Sequence, residues 1–91
     1  MYLHVGNDVS VRTAEIIGIF DFDYCSVDKR TRQFLNMAQR NREIVDVSQE
    51  LPKSFVVTSE TQGKRVYITN VSPATLYKRT DVSLVEEDEE K

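Results

Sequence analysis

Cysteine is nearly absent from this sequence. Cys25 stands alone, so no internal disulfide can form, and a disulfide-stapled secreted scaffold is excluded. Histidine is equally scarce. His4 is the only one, and no C-x-x-C or H-x-x-x-H spacing occurs, so a zinc site is not expected and no cofactor or metal is assigned. No apolar run approaches the roughly 20 residues that cross a bilayer. The opening residues carry no basic stretch followed by a long apolar segment, so no secretory signal is read there. Together these absences lead to the expectation of a cytoplasmic protein with no membrane partner. Three glycines and two prolines leave no low-complexity segment, and no internal repeat is present.

What remains is one small domain of 91 residues with an ordinary globular balance, 40% hydrophobic and 30% charged. A chain of this size buries roughly 60% of its extended surface, and oligomerisation is a natural route to added stability. The net charge of −3 is unevenly placed. Residues 80–91 carry six acids against Lys91, whereas residues 1–79 have 11 basic and nine acidic side chains. The acidity therefore belongs to the C-terminal segment. The chain divides into a domain over 1–80 and an acidic tail over 81–91, whose last six residues are expected to be disordered.

Alternation and β-branching predict the elements. Tyr2 to Val5 and Val9 to Arg12 read as a hairpin around Gly6-Asn7-Asp8. Thr13-Ala14-Glu15 reads as a connector or a single turn capped by Thr13. Ile16-Ile17-Gly18-Ile19-Phe20 is a continuous apolar run and reads as a central strand buried on both faces, with Gly18 marking a bulge or close approach. Ser26 reads as the N-cap of a helix over 27–41 with Asp28 in its first turn. Val27, Phe34, Leu35 and Ala38 share its inner face, and Lys29, Arg32, Gln33, Asn36 and Arg40 its outer one. Residues 44–47 form a short strand. Residues 54–59 and 65–71 form a hairpin with Gly63 at positive φ. Ser72 caps a second helix with Pro73 at its first position, burying Ala74, Leu76 and Tyr77. The fold expected is α+β, two helices against a small, largely antiparallel sheet.

Catalytic signals are thin. Asp21-Phe22-Asp23 at a strand end is similar to the nucleophile motif of haloacid-dehalogenase phosphatases, but such enzymes need a lysine and further acidic residues on a much larger parallel sheet, and no third motif supports it here. Cys25 precedes a helix, yet no general base is in view. The chain is therefore read as no enzyme. The strongest feature is cationic. Between residues 29 and 42 five basic side chains occur and no acidic one, a set able to neutralise phosphates if repeated around an oligomer. Lys53, Lys64 and Arg65 add cations on loops.

The segments Met1-Tyr2-Leu3-His4-Val5-Gly6, Ile16-Ile17-Gly18-Ile19-Phe20-Asp21 and Pro52-Lys53-Ser54-Phe55-Val56-Val57-Thr58 occur in that order. With Ser72-Pro73-Ala74-Thr75-Leu76 and Lys78-Arg79, they resemble the RemA/RemB family of extracellular-matrix regulators of Firmicutes, over residues 1–80. The resemblance implies a LytTR-like subunit, a closed ring of identical subunits, double-stranded DNA on the ring's outer surface, and control of biofilm-matrix genes. It further implies a DNA-contacting arginine after the second strand and an arginine pair before the Val-Val strand. Glu15, Glu50 and Leu51 occupy those positions here. Arg12 and Lys53, joined by Arg30, Arg32 and Arg40, are the DNA-binding residues expected in their place. Besides itself and DNA, a RemA-like paralogue is an expected partner. The alternative is a ring-forming interaction protein that has lost direct DNA binding and acts through protein partners.

Overall fold

The computed structural model describes residues 1–25 and 27–88, with side chains through Thr80. Strands β1 (Tyr2–Gly6) and β2 (Val9–Arg12) form an antiparallel hairpin. Its turn holds Gly6, Asn7 and Asp8 at φ of 130°, 49° and 62°, the region that glycine and asparagine tolerate best. A 3₁₀ turn over Thr13–Glu15 leads to β3 (Ile16–Asp21), followed by a short helix α1 (Phe22–Cys25) and the main helix α2 (Lys29–Arg40). Then come β4 (Ile44–Asp46), β5 (Ser54–Glu60), β6 (Gly63–Thr69) and α3 (Pro73–Asp88). The larger sheet has four strands in the order β3-β5-β6-β4, antiparallel except for β4 beside β6. This is the expected α+β class with a largely antiparallel sheet, although with three helices among the described residues rather than two.

The core lies on both faces of that sheet because β5 and β6 alternate. On one face Val56 and Tyr67 meet Leu3, Val5 and Val11 of the hairpin and Leu76 of α3. On the other, Phe55, Val57 and Val66 meet Ala38, with Phe34 and Leu35 of α2 packed alongside. Ser54, Thr58 and Thr69 are also buried, and each hydroxyl has a partner. Ser54 Oγ donates to the Val71 carbonyl at 2.6 Å and Thr58 Oγ1 to Glu60 Oε2 at 2.7 Å. Thr69 Oγ1 donates to the Val5 carbonyl and accepts from the Val71 amide, tying the hairpin to the sheet.

Several local readings hold. Gly63 has φ 125° at the β5–β6 turn. Ser72 Oγ accepts from the Thr75 amide at 3.2 Å and α3 begins at Pro73. Gly18 meets both expectations. The pairing register shifts between Ile16 and Gly18, and a Cβ added at Gly18 would lie 2.6 Å from the Phe20 ring.

Others are corrected. β3 is an edge strand, not a central one; β5 and β6 are central. The apolar run of β3 therefore leaves Ile17 64% exposed, and Phe20 is also exposed. α2 starts two residues later than expected, at Lys29. Asp28 caps it, accepting from the Arg30 amide at 2.7 Å and the Thr31 amide at 3.4 Å. Val27 thus precedes the helix and is exposed rather than inward. The cap read at Ser26 lies outside the described residues. Thr13 caps nothing by its side chain; its hydroxyl donates to the Met1 carbonyl at 3.3 Å. Ala74 is exposed. Tyr77 is half exposed, its hydroxyl donating to the Ile19 carbonyl at 3.2 Å. α3 continues to Asp88, and residues 89–91 lie outside the described residues. No helix of the described residues is long and apolar enough to cross a membrane.

Candidate nucleic-acid and assembly surfaces

The basic set of α2 follows from its capping and packing. Phe34, Leu35 and Ala38 turn toward the sheet, which directs Lys29, Arg30, Arg32 and Arg40 outward, and all four are exposed. Arg42 extends the set beyond the helix at φ 59°. Two of these cations are engaged locally. Arg30 Nη2 reaches Asp28 Oδ2 at 3.5 Å, and Arg32 Nη1 donates to the Val27 carbonyl at 2.8 Å. The Arg30 side chain and amide together hold the Asp28 carboxyl below its ordinary range. The first acid after the helix, Glu43, lies 3.8 Å from Lys64, which in turn sits over the Phe34 ring at 4.8 Å.

Arg12 and Lys53 are both exposed but do not converge. Arg12 precedes the 3₁₀ turn that feeds Ile16, opposite Thr58, whereas Lys53 precedes Ser54, opposite Asp21. Ser54 and Thr58 are four residue steps apart on β5, roughly 13 Å along the strand. Within one subunit Arg32 and Arg40 share a side of α2, Arg30 lies at the groove, and Arg12 and Lys53 lie outside the helix.

The positions that the resemblance assigns to arginine have clear settings. Glu15 ends the 3₁₀ turn, half-buried. Glu50 and Leu51 sit in the loop before β5, with Leu51 82% exposed. That loop is fixed by Asp46 Oδ1, which accepts from the Ser48 amide at 2.9 Å and its hydroxyl at 2.6 Å. Gln49 Nε2 donates to Asn7 Oδ1 of the hairpin turn at 3.3 Å.

Near Glu15, Tyr67 donates its hydroxyl to Glu60 Oε2 at 2.6 Å. Burial first, then that hydrogen bond and the nearby carboxylate charge, push the Tyr67 hydroxyl up to about 12. The unfolded chain therefore releases this proton at lower pH than the folded one. The stabilising contribution is complete below the ordinary tyrosine range and disappears as the pH rises toward about 12. Denaturant midpoints at pH 9 and pH 11.5 should fall more for wild type than for Tyr67→Phe. Equal declines would mean that another group governs alkaline unfolding.

Sequence reasoning missed a groove between β3 and α2. Its volume is about 340 Å³, and its lining includes Ile17, Phe20, Cys25, Phe34, Phe55 and Val57, with Arg30 at the rim. Phe20 stacks on Phe55 with ring centroids 5.1 Å apart. Beside it, Tyr24 and Val27 are 81% and 73% exposed. Only the apolar run of β3 hinted at it, and that run reads the same in a central strand. Cys25 belongs to this groove, half-buried, and His4 lies apart on β1. Asp21 caps α1, accepting from the Tyr24 amide at 2.7 Å. No cluster of three metal-ligating side chains occurs among the described residues.

The family model described as "RemA-like: Extracellular matrix regulatory protein A-like" matches residues 2–80 of this chain. Extracellular matrix regulatory protein B of Bacillus subtilis (strain 168) is 35% identical over 79 residues, which cover 87% of this chain and 89% of that relative.

Proposed function

Because the chain belongs to the RemA-like family of extracellular matrix regulatory proteins, we propose that it controls matrix gene expression as a DNA-binding ring of identical subunits. It acts in the cytoplasm and catalyses no reaction. The observation that carries the DNA reading is the basic stretch of α2, which holds no acid from Lys29 to Arg40 and exposes Lys29, Arg32 and Arg40 on one side of the helix. Phosphate contacts are individually weak, and repetition around an assembly makes them additive. Arg12 and Lys53 join the set from neighbouring parts of the assembled surface. DNA shape rather than base edges sets the preference. Self-association is supported by the apolar groove beside the edge strand β3, a surface larger than isolated exposed apolar residues.

A second reading is favoured by Glu15, Glu50 and Leu51 at the positions that the resemblance gives to arginine. Two acids and an apolar side chain there suit a protein partner, such as a RemA-like paralogue, better than phosphate.

Light scattering during titration with an AT-rich duplex at low salt tests both. A defined oligomer that gains the mass of DNA is the expected result. A defined oligomer that gains none would overturn DNA binding and leave the partner reading.

A further inference from the structure

We propose that the groove between β3 and α2 receives the C-terminal segment, residues 81–91, of a second copy of this chain. The inference rests on the self-association part of the reading above and is independent of DNA.

Chemical complementarity is the first support. The groove is apolar, floored by Phe55 and Val57 and walled by Ile17, Phe20 and Phe34. Its rim carries Arg30, 90% exposed, at the start of a helix whose outer face holds Lys29, Arg32 and Arg40. The segment 81–91 pairs the same two properties in the same order of scale. Val82, Leu84 and Val85 are close in sequence, with positions 82 and 85 on one side of the helix, and Glu86, Glu87, Asp88, Glu89 and Glu90 follow directly. An apolar group seated in the groove places the acidic run against the basic helix.

Position is the second support. Thr80 lines a depression with Thr13, Ile16, Ile17 and Tyr77, so the segment leaves the body beside β3. Ile17 lines both that depression and the groove. The α3 backbone is helical without a break to Asp88. Eight residues beyond Thr80 advance about 12 Å along a helix axis. A continuous helix cannot double back into the groove of its own subunit, but it can reach that of a neighbour. The interface is then heterologous, with tail and groove on different parts of each copy. The segment also lies beyond residues 2–80, the part matched by the family.

Cys25 in the groove provides a probe, since it is the chain's only cysteine. Leu84→Cys in the full chain, under mild oxidation, should give disulfide-linked dimers and larger species on a non-reducing gel. Their yield should exceed at least tenfold that of Gln62→Cys, placed at the β5–β6 turn. They should vanish with Cys25→Ser, decline with Arg30→Glu, and decline when a synthetic peptide of residues 81–91 is added in excess. A faster-migrating monomer, in which Cys25 is linked to the introduced thiol of its own chain, would overturn the second copy as donor. No link above the Gln62→Cys level, in a protein whose mass by light scattering is still oligomeric, would overturn this inference and leave self-association standing. A monomeric mass would overturn both.

Discussion

Neutralising two exposed cations of α2, with Lys29→Gln and Arg40→Gln in one chain, is expected to weaken duplex DNA binding at least about tenfold at low salt. Both side chains are exposed, and among the hydrogen bonds and ion pairs described above neither is a partner. Surface changes of this kind alter stability by only about 0.5 kcal/mol. The loss should therefore appear without a change in Tm. Its signature is the salt dependence. Each lost phosphate contact makes the slope of log affinity against log salt shallower by about 0.9. Across a fourfold rise in salt that is about 3.5-fold per contact, or about 12-fold for two. A fluorescence anisotropy titration at 50 and 200 mM salt reads it directly. If the slope is unchanged, α2 does not face phosphate, and Arg12 and Lys53 become the residues to vary.

The largest stability effect is expected at Leu76. It is 0% exposed and joins α3 to the cluster formed by the hairpin and the sheet. Leu76→Ala should cost roughly 2–5 kcal/mol, through lost burial and the cavity left behind. Such a loss is a large share of the 5–15 kcal/mol typical of a whole domain. For a chain this size each kcal/mol moves Tm by about 4–8 °C, so a fall of at least about 10 °C is expected. Leu51→Ala removes the same atoms from an exposed loop and should change Tm little. Both variants must be melted at one protein concentration, because assembly makes Tm concentration-dependent. Equal Tm values for the two would show that α3 is not anchored by Leu76.

Sequence patterns were legible where a local rule suffices. Gly63 marks the β5–β6 turn, and Ser72-Pro73 marks the start of α3, because each acts on its own backbone neighbours. Phe34, Leu35 and Ala38 show the inner face of α2, since a helix repeats its facing every three to four residues. The patterns misled where the answer is set by partners distant in the chain. Nothing in Ile16-Ile17-Gly18-Ile19-Phe20 tells whether a second strand lies beside it. The apolar run looks the same in a central strand and in an edge strand that awaits another molecule. Val27 lies outside the helix because Asp28 is its cap, which the pattern of apolar residues alone does not reveal. The basic residues of α2 were legible as a set. The separation of Arg12 from Lys53 was not, because it depends on the register of β3 against β5. The family was legible from segment order, and the comparisons support it.

The fastening of the amino-terminal hairpin has a consequence for biosynthesis. The Val5 carbonyl is held by Thr69 and the His4 carbonyl by Arg79, 64 and 75 residues further along the chain. Leu3 and Val5 are covered by Leu76, from the same late stretch. On the ribosome β1 therefore emerges 64 to 75 residues ahead of the groups that fasten it. Local hairpins form within microseconds, but this one lacks its full cover until β5, β6 and α3 have been translated. At roughly 5–20 residues per second that interval lasts several seconds. Throughout it the nascent chain carries an incompletely covered apolar hairpin, and a chain ending before Leu76 is one that chaperones and proteases would treat as incompletely folded.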